Sequence, residues 1–233
     1  MTAGDRNPAP RVLVVRHDES VPPGRLTRTL DGFGHEVRLD LGESLPDPSE
    51  WDGIVVLGGP MGAYDVDRFP FLEDEKRFLR AAVDRSIPVL GICLGCQLLA
   101  DALGGSAYLA PQIEAHFAPC EMSAEGAADP VARHLAGPVL SLHQDSWVLP
   151  PGATLLASSE RYPQAFRMGS ALGIQPHPEA GPGLAEAWID HLGRDRLTAT
   201  GVDPDALLAD MRAGEDAADG LADALFGDWL SRL

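Results

Sequence analysis

The sequence predicts an α/β domain in which a mostly parallel sheet carries helices on both faces. In the first hundred residues, β-branched runs alternate with segments whose apolar residues recur at helical spacing. Two of the predicted strands end in glycine-rich turns, one at Gly58-Gly59 and one around Cys93. Strands that alternate with helices pair in parallel and bury both faces of their sheet, and 233 residues suffice for one large domain of this kind.

The first half of the chain supplies most of this sheet. Short apolar runs rich in β-branched residues predict strands at residues 11–16, 35–39, 51–57 and 87–92. Helical periodicity predicts helices at residues 22–33, 71–85 and 97–103. Because reactive groups in such sheets gather beyond the carboxyl ends of the strands, Gly58-Gly59 and Cys93 are expected to converge.

The middle of the chain is less regular. Strands within residues 106–122 are expected to break at Pro111 and Pro119, since proline cannot donate to a strand ladder. Residues 129–135 suit a short helix. Further strands are predicted at residues 138–142, 154–157, 164–168 and 171–175.

The C-terminal region has a helical pattern from Gly183 onward, with breaks at Gly193 and near Pro204. Its last segment, residues 214–233, is amphipathic, with apolar positions at Leu221, Leu225, Phe226 and Leu230. We therefore expect three parts: a flexible tail at residues 1–10, a main domain at 11–180, and a helical extension at 181–233 packed on the same domain.

The composition indicates which classes of partner this protein would not bind and in which cellular compartment it works. The formal net charge is −17 and Lys76 is the only lysine, so the chain would repel nucleic-acid phosphates and anionic membranes. Three cysteines without a pairing pattern favour a reducing compartment. The first ten residues lack the apolar stretch of a signal peptide, and no apolar run reaches membrane-spanning length. We expect a cytoplasmic protein that binds neither nucleic acid nor membrane.

Cys93 stands at the centre of the most informative segment. A predicted strand ends just before it, a predicted helix follows, and Gly91 and Gly95 lie two residues to either side. A reactive side chain on a sharp strand-to-helix turn needs small neighbours at these positions, and a helix N-terminus stabilises a thiolate. The alternative is an ordinary buried cysteine.

A cysteine nucleophile needs a base, and His177 is the best candidate among seven histidines. Residues i and i+2 of an extended backbone point to the same side, so Glu179 could orient the imidazole. Pro178 favours this extended geometry at His177. The alternative is a surface turn.

Acyl transfer also needs hydrogen-bond donors for the developing oxyanion. The backbone N–H of Leu94 directly follows the cysteine, and Gly59 offers a second N–H in a loop without side chains. Phosphate binding is the rival interpretation of this glycine-rich loop, although it lacks the spacing and the lysine of a P-loop.

Three motifs in this order resemble those of class I glutamine amidotransferases: Gly58-Gly59-Pro60, the segment around Cys93, and Gln175-Pro-His-Pro-Glu179. The chain looks most like the stand-alone proteins that resemble the glutaminase domain of GMP synthase. The resemblance covers roughly residues 11–180 and includes longer matches at residues 88–105 and 142–169. It implies a flavodoxin-like sheet.

The resemblance implies a triad in which Cys93 is the nucleophile, His177 the general base and acid, and Glu179 its orienting residue. It implies Gly59 and Leu94 as the oxyanion hole. The residues implied to bind the substrate are Gly58, Gln97, Leu142, His143, Gln144 and Asp145. Glutamine or another γ-glutamyl compound would form a thioester and release ammonia or an amine, then glutamate, without metal or cofactor. A separate synthetase that accepts the ammonia is the partner that this interpretation allows.

Three departures from the family pattern line the expected pocket. Pro176 replaces an aromatic residue, residues 112–117 lack the family's glycine, and Gln144 replaces the glycine of a His-Gly-Asp segment. The triad is unaffected, but the identity of the acyl donor stays open. The alternatives are a γ-glutamyl peptide or amide hydrolase acting alone, a catalytically silent binding protein, and a thiol-redox protein.

Other reactive residue types are expected to be structural. Cys96 forms a Cys-x-x-Cys pair with Cys93, which allows redox chemistry or a reversible disulfide, but helix packing is favoured. Cys120 follows a proline and is expected to be structural. The histidines without partners at metal-ligand spacing are expected to be ordinary core or surface residues: His17, His35, His116, His134 and His191.

Overall fold

The computed structural model describes residues 10–32 and 34–233, so residues 1–9 of the predicted tail lie outside it. The described strands are β1 (Val12–Arg16), β2 (Gly34–Arg38), β3 (Gly53–Val56), β4 (Val89–Ile92), β5 (Ser106–Ala118), β6 (Glu121–Met122), β7 (Val139–Val148), β8 (Thr154–Ser158), β9 (Pro163–Met168) and β10 (Ala171–Ile174).

Eight strands form the main sheet, in the order β2-β1-β3-β4-β10-β9-β8-β6. The pairs from β2 to β10 are parallel, whereas β9, β8 and β6 continue the sheet in antiparallel fashion. The prediction of an α/β fold with a mostly parallel sheet is confirmed. β5 and β7 form a separate antiparallel ribbon.

The described helices are α1 (Leu26–Thr29), α2 (Phe71–Asp84), α3 (Leu94–Ala102), α4 (Ala124–Ala128), α5 (Pro182–Leu192), α6 (Arg194–Thr198), α7 (Pro204–Ala213) and α8 (Glu215–Leu230). Short 3₁₀ turns occupy Leu39–Leu41, Pro48–Glu50 and Ala132–Ala136. None of the helices in the described part of the chain is long and apolar enough to cross a membrane.

Helices cover both faces of the main sheet. In β1, Val12 and Val14 join one buried cluster, while Leu13 and Val15 join a second cluster on the opposite face. α8 covers the first face with buried apolar side chains, at Leu221, Leu225, Phe226 and Trp229. α2 and α3 cover the second face with leucines, at Leu72, Leu79, Leu98 and Leu99.

The helix predicted at residues 22–33 is wrong for most of its length, since only Leu26–Thr29 is α-helical. Gly24 takes a positive φ of 53°, and a Cβ there would lie 2.2 Å from the carbonyl oxygen of Glu179. The next backbone N–H, that of Arg25, donates to the same oxygen at 2.9 Å. Pro22, Pro23 and Gly24 therefore form a turn instead of a helix, and this turn packs against the backbone of the His-Pro-Glu segment.

Arg25 also ties this turn to the C-terminal helix. Its guanidinium donates to the carbonyl oxygen of Ala180 and, through Nε, to Asp219 of α8 at 2.5 Å. The Arg25 side chain is largely buried. A backbone segment beside Glu179 is thus joined to α8 through one cation.

The predicted strand break at Pro111 is also wrong. β5 continues through it, and the pairing with β7 shifts register between Leu109 and Glu114. A bulge leaves backbone groups unpaired, so a proline without an N–H fits there. β7 likewise runs beyond the predicted end at residue 142. The helix predicted at residues 129–135 is only a 3₁₀ turn at Ala132–Ala136.

Candidate active site

Cys93 lies on a sharp turn between β4 and α3. Its φ of 52° and ψ of −108° form a strained conformation for a residue with a side chain. A Cβ on Gly91 would lie 2.5 Å from the carbonyl oxygen of Gly95, and a Cβ on Gly95 would lie 2.2 Å from that of Val56. Only glycine therefore fits at positions 91 and 95, two residues before and after Cys93. A sharp turn that presents a nucleophile requires small residues at these two positions.

His177 and Glu179 form a buried pair beside Cys93. Nδ1 of His177 donates to Oε1 of Glu179 at 2.7 Å, and Glu179 is fully buried. The Cys93 side chain lies next to the His177 ring, since a Cβ on Gly58 would contact both. Burial lowers the pKa of His177, but the Glu179 charge and the contact with Cys93 outweigh burial and raise that pKa to about 10.

The backbone around Pro176 stays fully bonded despite the missing N–H. Gln175 donates its N–H to the carbonyl oxygen of Gln164 at 2.7 Å, and His177 donates to that of Leu140 at 2.7 Å. The backbone on either side of Pro176 is therefore held by β9 and β7, and the missing N–H of Pro176 leaves these two bonds in place.

The Gly58-Gly59 turn converges on the same point, as the sheet topology predicts. A Cβ on Gly58 would lie 3.6 Å from Cβ of Cys93 and 3.4 Å from Cε1 of His177. Among the described residues, neither the Gly59 N–H nor the Leu94 N–H has a hydrogen-bond acceptor. Two free donors thus lie near Cys93, one in the turn after β3 and one in the first turn of α3.

A cleft of about 690 Å³ opens above Cys93. Most of the sequence-predicted site residues line it: Cys93, His177, Gly59, Leu94, Gln97, Leu142, His143, Gln144 and Asp145. Glu179 is bonded to His177 but does not line the cleft, and Gly58 is buried within its turn. The structure therefore brings all of the predicted residues to one site.

Gln97 and Tyr64 hold the Asp145 side of the cleft. The Gln97 side chain donates to the carbonyl oxygen of Asp145 and to Oε1 of Gln175, both at 3.3 Å. The Tyr64 hydroxyl donates to Oδ1 of Asp145 at 3.1 Å. Burial raises the pKa of Asp145 despite the lowering effect of the Tyr64 hydrogen bond.

Gln144, a departure from the family pattern, has a specific partner. Its side-chain oxygen accepts a hydrogen bond from the guanidinium of Arg196 on α6. Arg196 lines the cleft and makes no ion pair with a carboxylate in the described part of the chain. The sequence pattern did not identify Arg196, because nothing in a helical extension marks it as a pocket residue.

A second wall of the cleft comes from α5 and was also missed. The Trp188 ring packs against His177 with ring centroids 4.7 Å apart. Its Nε1–H donates to the carbonyl oxygen of Ser20 at 2.7 Å. Beside Trp188 the wall is mainly apolar, with Val21, Pro22, Leu184, Ala187 and Leu192.

Glu114 is a further residue that the sequence did not single out. It is buried and accepts hydrogen bonds from Nε2 of His143 at 2.8 Å, Nε2 of Gln164 at 2.6 Å and Oγ of Ser159 at 2.6 Å. Burial raises its pKa, but hydrogen bonds from His116, His143 and Ser159 outweigh burial and lower the pKa well below its usual range. Glu114 fixes His143, which lines the cleft.

Cys96 is completely buried and packs against Gly173 of β10, where a Cβ would lie 2.9 Å from its sulfur. Burial raises the pKa of the Cys96 thiol well above its ordinary value. The prediction that Cys96 packs its helix is confirmed. Within residues 10–32 and 34–233, no cluster of three metal-ligating side chains occurs.

Comparison with known proteins identifies the family. A family model described as class I glutamine amidotransferase matches residues 26–190. The chain belongs to this family. The resemblance inferred from the sequence motifs is therefore confirmed at the level of the family.

Individual members of the amidotransferase family align with this chain over most of its length. A glutamine amidotransferase-like protein of Salmonella typhimurium, YfeJ, is 30% identical over 214 residues, which cover 87% of this chain and 90% of that protein. A glutamine-hydrolysing GMP synthase component of Halobacterium salinarum is 34% identical over 168 residues, or 66% of this chain and 80% of that protein. A glutamine amidotransferase structure from Thermotoga maritima is 30% identical with a TM-score of 0.82, covering 96% of this chain and 99% of that one.

Proposed function

We propose that this amidotransferase hydrolyses the γ-carboxamide of glutamine through a thioester on Cys93, releasing ammonia and glutamate. The observation that carries the proposal is the grouping of Cys93, His177 and Glu179 in one cleft. The two unpartnered backbone donors at Gly59 and Leu94 supply what an acyl-transfer site needs for its oxyanion. No metal or cofactor is needed for this reaction.

Each step has a residue suited to it. The raised pKa of His177 favours an imidazolium beside a Cys93 thiolate, and the thiolate attacks the γ-carbonyl carbon. The developing oxyanion is held by the two backbone N–H groups. His177 gives its proton to the leaving nitrogen as the C–N bond breaks, and then removes a proton from the water that hydrolyses the thioester. The resulting hydroxide adds to the thioester carbon, the C–S bond breaks, glutamate leaves, and the pair of thiolate and imidazolium is restored.

The donor's amino-acid end is proposed to bind beside residues 142–145. Gln97 fixes the carbonyl of Asp145, and Asp145 can accept from a substrate ammonium group. Arg196 offers a cation for the substrate carboxylate, because no described carboxylate pairs with it. In a chain of net charge −17, an unpaired arginine at a cleft suits an anionic group.

The ammonia acceptor is proposed to be a separate synthetase. Similar proteins include one component of a GMP synthase and the small chain of a carbamoyl phosphate synthase, and both names describe one part of a larger assembly. Three free cysteines among the described residues support a reducing compartment, and we propose the cytoplasm.

A second candidate function is hydrolysis of γ-glutamyl amides of larger amines by this chain alone. The apolar wall formed with Trp188 lies beside His177, the residue that protonates the leaving nitrogen. A leaving amine larger than ammonia would contact this wall. A redox role has weaker support, because burial raises the pKa of the Cys96 thiol.

The deciding experiment measures glutamate release by the purified protein from glutamine and from a panel of γ-glutamyl amides and dipeptides. The Cys93→Ser variant is the control for each substrate. Glutamine turnover that a synthetase partner stimulates would support the first function, and preference for larger amides would support the second. Absence of turnover, together with no labelling of Cys93 by an electrophilic glutamine analogue, would overturn both.

A further inference from the structure

A buried histidine lies directly under the Gly58-Gly59 loop. His17 follows β1 and is fully buried, and its Nδ1 lies 3.0 Å from the carbonyl oxygen of Gly58. Its Nε2 lies 3.0 and 2.9 Å from the two carboxylate oxygens of Glu75 on α2, which is also fully buried. Neither side chain lines the cleft, so the proposed reaction does not use them directly.

The contact with Gly58 fixes the direction of one peptide plane. In a trans peptide, the carbonyl of one residue and the N–H of the next point to opposite sides. The described residues contain no cis peptide bond. With the Gly58 oxygen held against buried His17, the Gly59 N–H is turned away from the core. That N–H is the proposed oxyanion donor, and it has no acceptor among the described residues.

The hydrogen-bond partners determine where the proton lies. The Gly58 carbonyl can only accept, so Nδ1 of His17 must carry a hydrogen for this bond to form. If Glu75 donates to Nε2 as an acid, the neutral imidazole carries its hydrogen on Nδ1. If Glu75 accepts from Nε2 as a carboxylate, Nδ1 is protonated in the imidazolium, the form that a raised pKa favours. Burial lowers the pKa of His17, but the charge and hydrogen bond of Glu75 and the Gly58 carbonyl outweigh it, and the pKa is raised.

We propose that His17 is a positioning residue that aims the Gly59 N–H at the oxyanion, with Glu75 keeping Nδ1 of His17 protonated. The inference rests on the proposed function, because it assigns a cause to the geometry of the same oxyanion hole. A glycine-glycine peptide can rotate easily. Without the His17 contact, the Gly58-Gly59 peptide would sample the flipped orientation, in which a carbonyl oxygen would face the oxyanion.

The test compares three variants. His17→Leu removes the donor to Gly58. His17→Asn keeps an N–H near the position of Nδ1, and Glu75→Gln can still donate to Nε2 so that Nδ1 stays protonated. For each, kcat and KM are measured with the best γ-glutamyl substrate, and the rate of Cys93 alkylation by iodoacetamide is measured in parallel. Alkylation needs the thiolate but forms no oxyanion, so it separates the oxyanion hole from the triad.

For His17→Leu we expect kcat to fall by about 100-fold, as for loss of one oxyanion donor, with KM and the alkylation rate nearly unchanged. His17→Asn and Glu75→Gln should retain most of kcat. Equal losses of kcat and alkylation in His17→Leu, or a loss of about 100-fold in His17→Asn, would overturn the inference.

A second measurement does not depend on turnover. It tests the inference even if the His17→Leu variant does not fold or the wild type is inactive. The ¹⁵N chemical shifts of the His17 ring in the wild type should report a protonated Nδ1 at neutral pH. An unprotonated Nδ1 would overturn the positioning role. An inactive wild type with a protonated Nδ1 would contradict the proposed function while leaving the His17 contact established.

Discussion

Trp188 packs its indole against the imidazole of His177, with ring centroids 4.7 Å apart. The indole comes from α5, and its Nε1–H is anchored on the carbonyl oxygen of Ser20. The candidate site is therefore bounded on one side by the C-terminal region and not only by the strands of the sheet. The first prediction concerns this wall.

Replacing Trp188 with Ala should lower kcat/KM for γ-glutamyl amides of large apolar amines by about tenfold more than for glutamine. The physical reason is loss of the apolar surface that we propose contacts the leaving amine. Trp188→Phe keeps a ring beside His177 and should preserve the preference. Equal effects of Trp188→Ala on both substrates would show that the wall does not contact the leaving group.

Replacing Glu179 with Gln should lower kcat by about 100-fold or more. Glu179 raises the pKa of His177 against the opposing effect of burial, so in the variant this pKa should fall. The alkaline limb of the kcat profile, where the imidazolium of His177 loses its proton, should therefore move to lower pH. Glu160→Gln, at an exposed position, is the control. Unchanged activity in Glu179→Gln would favour the thiol-redox alternative.

Replacing Arg196 with Gln should raise KM by about tenfold and leave kcat nearly unchanged. The guanidinium is proposed to bind the substrate carboxylate in both the ground state and the transition state, so its loss weakens binding without slowing chemistry. Steady-state kinetics with glutamine measure this split. Arg232→Gln, which lies outside the cleft, should behave as the wild type. A fall in kcat alone would assign Arg196 another role.

Replacing Glu114 with Gln should lower the free energy of unfolding at pH 7 by about 2 kcal/mol, because charge-assisted hydrogen bonds to buried partners weaken. The folded-state pKa of Glu114 lies below its ordinary value of 4.5. Its contribution to stability is therefore present above pH 4.5 and is lost as the pH falls further. Urea titrations from pH 7 to 3 should show a smaller acid loss in the variant, while exposed Glu121→Gln should track the wild type.

Replacing Gly95 with Ala should destabilise the fold by at least about 2 kcal/mol, since the added Cβ would lie 2.2 Å from the Val56 carbonyl oxygen. Gly220→Ala on α8 is the matched comparison, because no atom beyond the adjacent backbone of its own helix lies within 4 Å of its added Cβ. That change should stabilise the helix by about 0.5–1 kcal/mol. Thermal unfolding of the two variants tests the pair, and similar stabilities would contradict the packing around Cys93.

The sequence predicts most of the sheet and of the candidate site, because both depend on local patterns. β-Branched runs and helical periodicity locate β1 to β4, α2 and α3 to within a few residues. Cys93 is recognisable from its flanking glycines, and His177 and Glu179 from their spacing in an extended segment. Sheet topology then brings the glycine loop to Cys93.

The missed features depend on contacts between distant segments. Glu114 meets Ser159 and Gln164 only because β5 and β7 form a ribbon beside β9. Arg196 reaches Gln144 across 52 positions of sequence, and Trp188 reaches Ser20 across 168. The pattern at residues 22–33 predicts a helix, but the backbone there turns to meet the Glu179 carbonyl, a contact that no local pattern can reveal.

The link from Arg25 to Asp219 also bears on how this chain can diverge. The family model covers residues 26–190, so the match ends before α8 begins. The largely buried Arg25 lies one residue before the start of the match. A descendant that lost α8 would leave this cation without its carboxylate and uncover one side of the sheet. Arg25 and Asp219 should therefore be inherited together or lost together, and covariation of the two positions among related sequences would record that history.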